Sequence, residues 1–593
     1  MESRSPGLGC AGSRESLGLR LSRELETRLS WETWVLGRRC WGGEEEALSS
    51  LSSGTGSGPL PSAESRESLG SAPNDIGESD LSDIFYSPSQ PIRMLRLLRS
   101  FSISHIPPLK AFLQATQGAE RTQTEAVSSL KYFIETYGCQ MNSNDSAIVE
   151  SVLRTAGMSP SESADSADIV LLNTCAIRDH AEQKIWQRLY EFRALRRKGQ
   201  HHTIAVLGCM AERLKDKLLS EEQLAHVVVG PDAYRSLPGL LEAVRSSGET
   251  AMDVKLSQEE TYADISPVRT EADGVSASIS IMRGCNNMCS FCVVPFTRGR
   301  ERSREMASIL QEVWKLAESG TKEITFLGQN VNSYVDATSR GQAHSNTPGF
   351  AEMYRLRDFP GARFADLLSE AAQTAPKVRF RFTSPHPKDF PQALVDTIKH
   401  HSNVCKQVHL PVQSGSTAVL QRMRRGYTRE AYLDLLHHLR AEIPHVSVST
   451  DLIAGFCGES EEDHKWTLDL VEKAKFEQAF MFAYSMRPRT HAANNYPDDV
   501  PQSTKLRRLQ EIIDLQRSIQ KLGNEAEVGK SQEVLIEGGT KRSEWQFTGR
   551  ADSGKRVIVE VAEGRERLEV GSTVQVRITA SSPQTLFGQL GNS

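Results

Sequence analysis

The chain has 593 residues, a length that accommodates three or four domains and a large buried core. The formal net charge of -5 excludes nucleic-acid binding through overall charge, and the lack of a run of about 18 apolar residues predicts no membrane partner. Ten cysteines, sparse and unevenly spaced, argue against a disulfide framework and favour a reducing compartment.

The first 127 residues are predicted to be a disordered extension. Serine- and glycine-rich tracts such as SSLSSGTGSGPLPSAESRES contain too few apolar side chains to offset the entropy of the chain. From Tyr86 to Ala119 there is no acidic residue, while basic residues alternate with leucine and phenylalanine. This composition predicts a transit segment near residues 94–120, with Met94 as the working start and the mitochondrial matrix as the destination. The alternative is a disordered basic tail that carries no targeting signal.

Residues 130–250 are predicted to form an open parallel-sheet domain, because strand-like apolar runs alternate with helical patterns. Three of these runs, KYFIET, ADIVLLNT and HTIAVLG, are followed by Cys139, Cys175 and Cys209. The carboxyl ends of parallel strands align at one edge of a sheet, so the three cysteines are expected to converge on one pocket. We predict that they bind an auxiliary iron–sulfur cluster; three buried core cysteines are the alternative.

The segment RGCNNMCSFCVVPFTRGRERSR, residues 283–304, carries the clearest chemical signal. Cys285, Cys289 and Cys292 have CxxxCxxC spacing, which can hold three irons of a [4Fe–4S] cluster and leave the fourth iron without a protein ligand. A structural zinc site would normally include a fourth Cys or His nearby, and none follows at once. An open iron can bind S-adenosylmethionine (SAM) and deliver one electron to it, which produces a carbon radical. The spacing resembles the radical-SAM signature.

Four arginines follow this motif and are predicted to contact phosphates near the pocket: Arg298, Arg300, Arg302 and Arg304. The alternative is a solvated basic run that pairs with Glu301 and Glu305.

Residues 271–515 repeat a strand-then-helix rhythm, which predicts a central partial (βα) barrel. The predicted strands are SISIMRG, EITFLGQN, VRFRFTS, KQVHLPVQ, VSVSTDLIAGF and FMFAYSM. Functional residues of such barrels follow the carboxyl ends of the strands. The residues expected on the SAM side are Gln329, Gln413, Asp451 and Glu459, and no catalytic residue is assigned.

Residues 517–590 are predicted to form a small antiparallel β-barrel, of a kind that often binds oligonucleotides. The predicted strands SQEVLIEG, WQFTGRA, RVIVEV and GSTVQVRITA are separated by glycine turns. RNA is expected to contact one local basic patch, made of Lys541, Arg542, Arg550, Lys555 and Arg556. A packing module on the central barrel is the alternative.

From about residue 131 to residue 590 the chain resembles the methylthiotransferases of the radical-SAM superfamily. The motifs occur in the family's order: YGCQMN, NTCAIRDHAEQK, LGCMAER, RGCNNMCSFCVVPFTRGRERSR, LGQNVNSY, TSPHP, HLPVQSGS, STDLIAGF and a TRAM-like C-terminal barrel. The resemblance implies two [4Fe–4S] clusters, SAM as both methyl and radical source, and an external electron donor. It also implies transfer of a methylthio group to carbon 2 of N6-isopentenyladenosine at position 37, in a tRNA bound by its anticodon stem-loop. That carbon has no acidic proton, so hydrogen abstraction rather than acid–base chemistry is expected.

Two alternatives stay open within and beyond this resemblance. The shared motifs also fit methylthiolation of threonylcarbamoyl-adenosine in tRNA or of an aspartate side chain in a ribosomal protein. A name used within the family suggests a role of another class, binding to a kinase regulatory subunit, although no motif requires it. Cys405 and Cys457 are expected to be buried apolar cysteines rather than ligands.

Overall fold

The computed structural model describes residues 130–176, 179–220, 224–269, 274–339, 350, 361–562 and 567–591. All of them belong to one compact unit of the chain, Ser104–Ser593. The predicted extension of residues 1–127, with its transit segment, lies outside the described residues. Among the helices that are described, none has the length and hydropathy needed to cross a bilayer.

The N-terminal domain is a six-stranded parallel sheet in the order β2-β1-β3-β4-β5-β6. The strands are β1 (Lys131–Thr136), β2 (Ser159–Pro160), β3 (Ile169–Thr174), β4 (Thr203–Gly208), β5 (Val227–Val229) and β6 (Ala251–Asp253). The helices are α1 (Gln140–Thr155), α2 (Asp179–Arg197), α3 (Cys209–Leu214), α4 (Asp216–Ser220) and α5 (Leu237–Ser247), with a 3₁₀ turn at Tyr234–Ser236.

Both faces of this sheet are covered by helices, as the apolar sequence of β3 requires. Ile169 and Leu171 pack in the core that contains α1 and α5, whereas Val170 and Leu172 pack in the core that contains α2 and α3. The predicted open parallel sheet is therefore confirmed, and the segments that follow β1, β3 and β4 lie side by side at its carboxyl edge.

The central domain is the predicted partial barrel. Its six parallel strands form two hydrogen-bonded sets, β13-β10-β7 and β14-β15-β16, joined by the bridge between Phe380 and Val404. These strands are β7 (Ser276–Ser280), β10 (Glu323–Leu327), β13 (Arg379–Phe382), β14 (Gln407–His409), β15 (Ser447–Ala454) and β16 (Gln478–Ala483). Four of them lie within predicted runs, whereas β7 and β16 each begin two residues before the predicted run and overlap it.

The remaining elements of the central domain surround these strands. Short strands are β8 (Met282–Arg283), β9 (Arg302–Ser303), β11 (Val335–Asp336) and β12 (Ala362–Arg363). The helices are α6 (Val294–Thr297), α7 (Met306–Glu318), α8 (Phe364–Thr374), α9 (Gln392–His400), α10 (Thr417–Arg422), α11 (Arg429–Glu442), α12 (Glu461–Ala474), α13 (His491–Asn495) and α14 (Gln502–Glu525), and 3₁₀ turns lie at Val331–Ser333 and Pro387–Asp389. Helix α14 crosses the domain boundary expected at residues 515–517.

The C-terminal domain is a closed barrel in the order β17-β18-β19-β21-β20. Its strands are β17 (Ser531–Gly539), β18 (Gln546–Ala551), β19 (Arg556–Glu560), β20 (Thr573–Ser581) and β21 (Leu586–Leu590), the last of which was not predicted. Four pairings are antiparallel as predicted, but β19 and β21 run parallel. The purely antiparallel prediction is corrected here, because a closed ring of five strands cannot alternate in direction all the way round.

The turn after β18 closes the amino-terminal end of the partial barrel. Arg381, on the inner face of β13, donates to the carbonyl oxygens of Ala551 (2.8 Å) and Asp552 (2.9 Å). The amide of Lys406 donates to the carboxylate of Asp552 at 3.0 Å. The opposite, carboxyl-terminal end of the barrel therefore remains as the entrance for ligands.

Candidate active site

Three cysteines lie at the carboxyl edge of the N-terminal sheet and are called the auxiliary trio. Cys139 precedes α1 directly, Cys175 follows β3, and Cys209 is the first residue of α3 after β4. Because β1, β3 and β4 are adjacent and parallel, their loops meet. Gly138 allows the loop that carries Cys139 to approach Cys175 closely. Its φ is +119°, and a Cβ at this position would lie only 2.7 Å from the Cβ of Cys175.

Asn142, which sequence reasoning missed, fastens the loops that carry the auxiliary trio. Its side-chain amide donates to the backbone carbonyls of Tyr137 (2.7 Å) and Thr174 (2.9 Å). Its backbone carbonyl accepts a hydrogen bond from the side-chain amide of Asn173 at 2.8 Å. Asn142 is buried. Its position three residues after a cysteine, on a helix face with apolar neighbours, is the signal that could have identified it.

The second group, called the barrel trio, lies on the loop between β8 and α6. Cys285 and Cys289 are buried and Cys292 is half-buried. Backbone amides point at two of the sulfurs: Asn287 N–H donates to Cys285 Sγ at 3.4 Å, and Val294 N–H donates to Cys292 Sγ at 3.5 Å. Such N–H donors stabilise the negative charge that a thiolate retains when it binds iron.

Burial raises the pKa of thiols in both trios. For Cys209 burial is the main cause, Arg298 opposes it, and the nearby Cys175 and Cys139 raise the pKa further. Burial raises the pKa of Cys292 to about 12, with a further contribution from Cys289. The members of each trio therefore influence one another electrostatically, and iron binding must displace the thiol protons.

Three thiolates are a donor set that suits an iron–sulfur cluster, because sulfur is its usual protein ligand. Among the described residues no three His, Cys, Asp or Glu side chains converge closely enough to hold one metal ion. A tetrahedral ion needs its sulfur ligands within about 2.3 Å of one point. In a [4Fe–4S] cube each thiolate binds a different iron, so the three sulfurs need only surround a common space.

The two trios face each other across the boundary between the domains. Cys209 packs against Ala176 and Val293, the residues that directly follow Cys175 and Cys292. Helix α3, which begins at Cys209, contacts α6, which begins just after the barrel trio. A substrate group held between the domains would therefore be close to both trios.

A buried ion-pair network holds this arrangement. Arg298 donates from Nε to Cys209 Sγ at 3.0 Å and pairs with Asp145 at 2.6 Å. Asp145, fully buried on α1, also accepts from Arg283 at 2.8 Å, and Arg283 stacks over the ring of Tyr262. Asp145 is another residue that the sequence analysis missed, although an acid on the apolar stripe of α1 signals a buried partner.

The structure contradicts the predicted phosphate contacts for Arg298, Arg302 and Arg304. The alternative, pairing with Glu301 and Glu305, is also wrong for these three arginines. Those three are engaged in ion pairs with other acids: Arg298–Asp145, Arg302–Asp232 (2.8 Å) and Arg304–Glu312 (2.8 Å). Two of the acids belong to the N-terminal domain, so the run fastens that domain to the barrel. Arg300 alone of the four has an exposed side chain.

Two of the residues expected on the SAM side, Gln413 and Asp451, are brought together. The amide of Gln413 donates to the carbonyl of Asp451 at 2.9 Å, and the side chain of Asp451 lies 3.5 Å from His409. Gln413 has a φ of +76°, a conformation that is uncommon outside glycine and concentrates at functional sites.

Within the described part of the chain, no hydrogen bond joins the other two expected SAM-side residues to this pair. Gln329 follows β10 in the other set of strands, and its Oε1 is buried without a hydrogen-bond donor among the described residues. That orphaned acceptor fits a site that a ligand completes. Glu459 is buried, and its Oε1 accepts from the Gly455 amide and from Arg508, both at 3.0 Å.

The inner face of the barrel carries an aromatic wall on β16, consisting of Phe480 and Phe482. The opposite face of β16, with Ala479 and Met481, packs towards the helices, so the two phenylalanines point inwards. Their side chains are 41% and 40% exposed. The ring of His409 contacts that of Phe480 edge-on, with centroids 5.8 Å apart. The lumen thus presents apolar surface beside the polar pair of His409 and Asp451.

The five basic residues predicted as one patch on the C-terminal barrel do not form one. Lys541 and Arg542 lie in the turn before β18, whereas Arg550, Lys555 and Arg556 lie at its other end, roughly 17–20 Å away along a six-residue strand. Arg550 pairs with Glu537 at 3.0 Å. Burial lowers the pKa of Lys555, and Glu527 and Glu477 oppose that effect. The five basic residues are therefore divided between the two ends of β18.

Three family models match the chain. The Uncharacterized protein family UPF0004 matches residues 131–230, the Radical SAM superfamily matches residues 279–471, and the TRAM domain matches residues 525–590. The solved structure of the radical S-adenosylmethionine methyltransferase TsrM from Kitasatospora setae is 15% identical, with a TM-score of 0.44, over 62% of this chain and 75% of that one. This last likeness is too distant to carry an argument.

Two curated relatives are much more similar. The human mitochondrial tRNA methylthiotransferase CDK5RAP1 is 49% identical over 78% of this chain and 81% of its own length. The tRNA-2-methylthio-N(6)-dimethylallyladenosine synthase of Chloroherpeton thalassium is 48% identical over 77% of this chain and 95% of its own length. These matches confirm the family, the enzyme class and the cofactors that the sequence predicted, namely SAM and [4Fe–4S] clusters. The chain belongs to the tRNA methylthiotransferase family of the radical SAM superfamily.

Proposed function

We propose that the protein is a tRNA-2-methylthio-N6-dimethylallyladenosine synthase, which transfers a methylthio group to carbon 2 of N6-isopentenyladenosine at position 37. The observation that carries the proposal is the pair of facing cysteine trios, in a chain about half identical to an enzyme of that name. In this proposal the barrel trio binds the cluster that holds SAM and the auxiliary trio binds a second [4Fe–4S] cluster.

The chain's own residues hold and orient the groups that react. When bound, the clusters and SAM supply a carbon radical able to remove hydrogen from an unactivated C–H bond, and sulfur for transfer. Gln413 and Asp451, which are joined by a backbone hydrogen bond, would hold SAM from one side of the barrel. The side-chain oxygen of Gln329, which lacks a hydrogen-bond donor among the described residues, would hold it from the other. Ala176, Cys209 and Val293 are buried against one another, so water is excluded at the point where these loops of the two domains meet.

The aromatic wall favours an isopentenyl substrate over a threonylcarbamoyl one. Phe480 and Phe482 offer apolar surface that matches a branched hydrocarbon chain. A threonylcarbamoyl group carries a carboxylate, which would lie beside Asp451 and gain nothing from the two rings. An anticodon-loop base can be splayed from its neighbours at modest cost, so it can reach the lumen.

The direct test is a reconstituted reaction. The protein is loaded with iron and sulfide without oxygen, given SAM, a reductant and isopentenylated tRNA, and the nucleosides are analysed by mass spectrometry. We expect the 2-methylthio product, and none with tRNA that lacks the isopentenyl group. Product only with threonylcarbamoyl-adenosine tRNA or with a ribosomal peptide would move the assignment to those alternatives.

Location and partners complete the proposal. The relatives that are named mitochondrial support a mitochondrial location, and we propose the matrix as the compartment, with import through residues 94–120.

The TRAM match at residues 525–590 supports contact with the tRNA anticodon stem-loop. An external one-electron donor is required by the chemistry. Mass spectrometry of the mature N-terminus tests the import step, since retention of residues 1–93 would contradict it.

A further inference from the structure

Each cysteine trio receives one hydrogen bond from a buried arginine outside it. For the barrel trio the arginine is Arg425, which is 5% exposed and donates from Nη1 to Cys289 Sγ at 3.3 Å. Its other donors are fixed as well: Nε donates to the Tyr427 hydroxyl at 2.9 Å, and Nη2 donates to the Pro411 carbonyl at 2.7 Å. The guanidinium is therefore held in one orientation against the sulfur.

For the auxiliary trio the arginine is Arg298, which is 3% exposed. It donates from Nε to Cys209 Sγ at 3.0 Å and from Nη2 to the side-chain oxygen of Asn142 at 2.9 Å. Its Nη1 lies 2.6 Å from Asp145. Arg298 thus contacts a predicted ligand, the residue that fastens the ligand loops, and the acid that joins the two domains.

The two arginines differ in how their charge is balanced. Arg298 and Arg283 share Asp145, and Arg283 also lies 3.6 Å from Glu260, so two cations face two carboxylates. Arg425 donates to a sulfur, a phenol and a carbonyl. Within the described part of the chain no ion pair joins Arg425 to a carboxylate. A whole positive charge is therefore buried beside Cys289, whereas the charge beside Cys209 is neutralised.

We propose that Arg425 and Arg298 are positioning residues that set the reduction potentials of the two clusters separately, Arg425 through its charge and Arg298 through its hydrogen bond. The inference rests on the proposed assignment of the cysteines to two [4Fe–4S] clusters. Adding an electron makes a cluster more negative, so a nearby cation or N–H donor stabilises the reduced form more than the oxidised form. Replacing Arg425 or Arg298 should therefore lower the reduction potential of the cluster whose ligand that arginine contacts.

The test is a redox titration of the full-length protein with both clusters, followed by electron paramagnetic resonance. The signal that changes when SAM is added identifies the barrel cluster. The variants are Arg425→Met, Arg425→Lys, Arg298→Met and Arg298→Lys, with Arg300→Met as the matched control on an exposed arginine of the same loop. Arg298→Lys keeps a cation beside Asp145, so the fold is retained even if Arg298→Met does not fold.

The expected pattern is specific. Arg425→Met lowers the potential of the barrel cluster alone, and Arg425→Lys recovers most of the shift because the charge is kept. Arg298→Lys lowers the potential of the auxiliary cluster alone, because the guanidinium N–H···S bond is lost although the charge remains. Arg300→Met shifts neither potential.

Two results would overturn the inference while leaving the proposed function standing: potentials that stay unchanged in all variants, or single variants that shift both clusters equally, each with about eight irons still bound. A wild-type protein that binds only about four irons would instead contradict the two-cluster assignment itself. Iron and sulfide analysis of each sample therefore separates the two failures.

Discussion

The two cysteine trios have the same proposed role, as ligands of a [4Fe–4S] cluster, but are built in opposite ways. The barrel trio lies on one loop of eight residues, Cys285 to Cys292, so its geometry is local to the chain. The auxiliary trio comes from three strands, and 70 residues separate Cys139 from Cys209. The first depends on how one loop turns and the second on the order of strands in a sheet. Damage to a single residue should therefore remain local at the barrel trio and spread through the domain boundary at the auxiliary trio.

The largest effect is expected from removing one ligand of either trio. Cys289→Ala should abolish SAM cleavage and lower the bound iron from about eight to about four, with the auxiliary cluster kept. Cys175→Ala should lose the same amount of iron but keep SAM cleavage, while methylthio transfer is lost. Iron analysis and the yields of 5′-deoxyadenosine and product measure both effects.

Cys405→Ala is the matched control for these variants, because Cys405 is equally buried in the central domain but belongs to neither trio. It should keep all iron and both activities. Loss of SAM cleavage in Cys175→Ala would show that the trios are not functionally separate.

A second prediction concerns the loop that carries the barrel trio. Gly284 has a φ of +75°, and a Cβ there would overlap the carbonyl oxygen of Arg300. Gly284→Ala should therefore displace Cys285 and reduce bound iron to about four, with the auxiliary cluster unaffected. Gly320→Ala is the control: its φ is +92°, but no atom lies within 4 Å of the added Cβ. That variant should cost roughly 1–2 kcal/mol of stability and no iron.

The auxiliary trio is more sensitive to the domain boundary. Asp145→Asn leaves Arg298 and Arg283 without their shared charge, so it should destabilise the protein by roughly 3–5 kcal/mol. Glu150→Gln breaks an ion pair on the same helix, with Arg154, whose side chain is 49% exposed; about 0–1 kcal/mol is expected there. Urea denaturation followed by circular dichroism compares them, and equal losses would show that the network contributes no more than a surface pair.

The smallest effect is a pH dependence near the barrel trio. Burial raises the pKa of Glu301 to about 7, while the hydrogen bond from Ser333 opposes the shift. The carboxyl of Glu301 therefore keeps its proton to a higher pH in the folded state than in the unfolded state, where its pKa is about 4.5. Its contribution to the stability of the folded state is fully present below pH 4.5 and is lost as the pH rises towards 7. Relative to Glu301→Gln, the cluster-free protein should lose up to about 3 kcal/mol of stability across this range.

Glu305→Gln on the same loop is the control for this titration, because the side chain of Glu305 is exposed. It measures how much of any change comes from removing a carboxylate of this loop. A stability difference between Glu301→Gln and the unsubstituted protein that does not change between pH 4.5 and pH 7 would mean that the pKa of Glu301 is not raised.

Much of the fold was predictable from local pattern. The apolar runs gave all six strands of the partial barrel and the three strands that precede the auxiliary trio, since strand periodicity and turn residues are properties of short segments. The strand β21 was missed because LFGQL contains a glycine and is shorter than the runs beside it. The spacing of the barrel trio was sufficient to predict its chemistry, because three thiolates on one loop have few other uses.

The sequence by itself determined which cysteines follow strands, which loop could hold an open cluster and which family the motifs resemble. Only the tertiary structure decided what surrounds them. The arginine run looked like a phosphate contact, yet Arg298, Arg302 and Arg304 face acids from distant segments. The partners Asp145 and Cys209 lie more than 80 residues before Arg298. Burial and long-range pairing depend on how domains pack, and no short stretch of sequence contains that information.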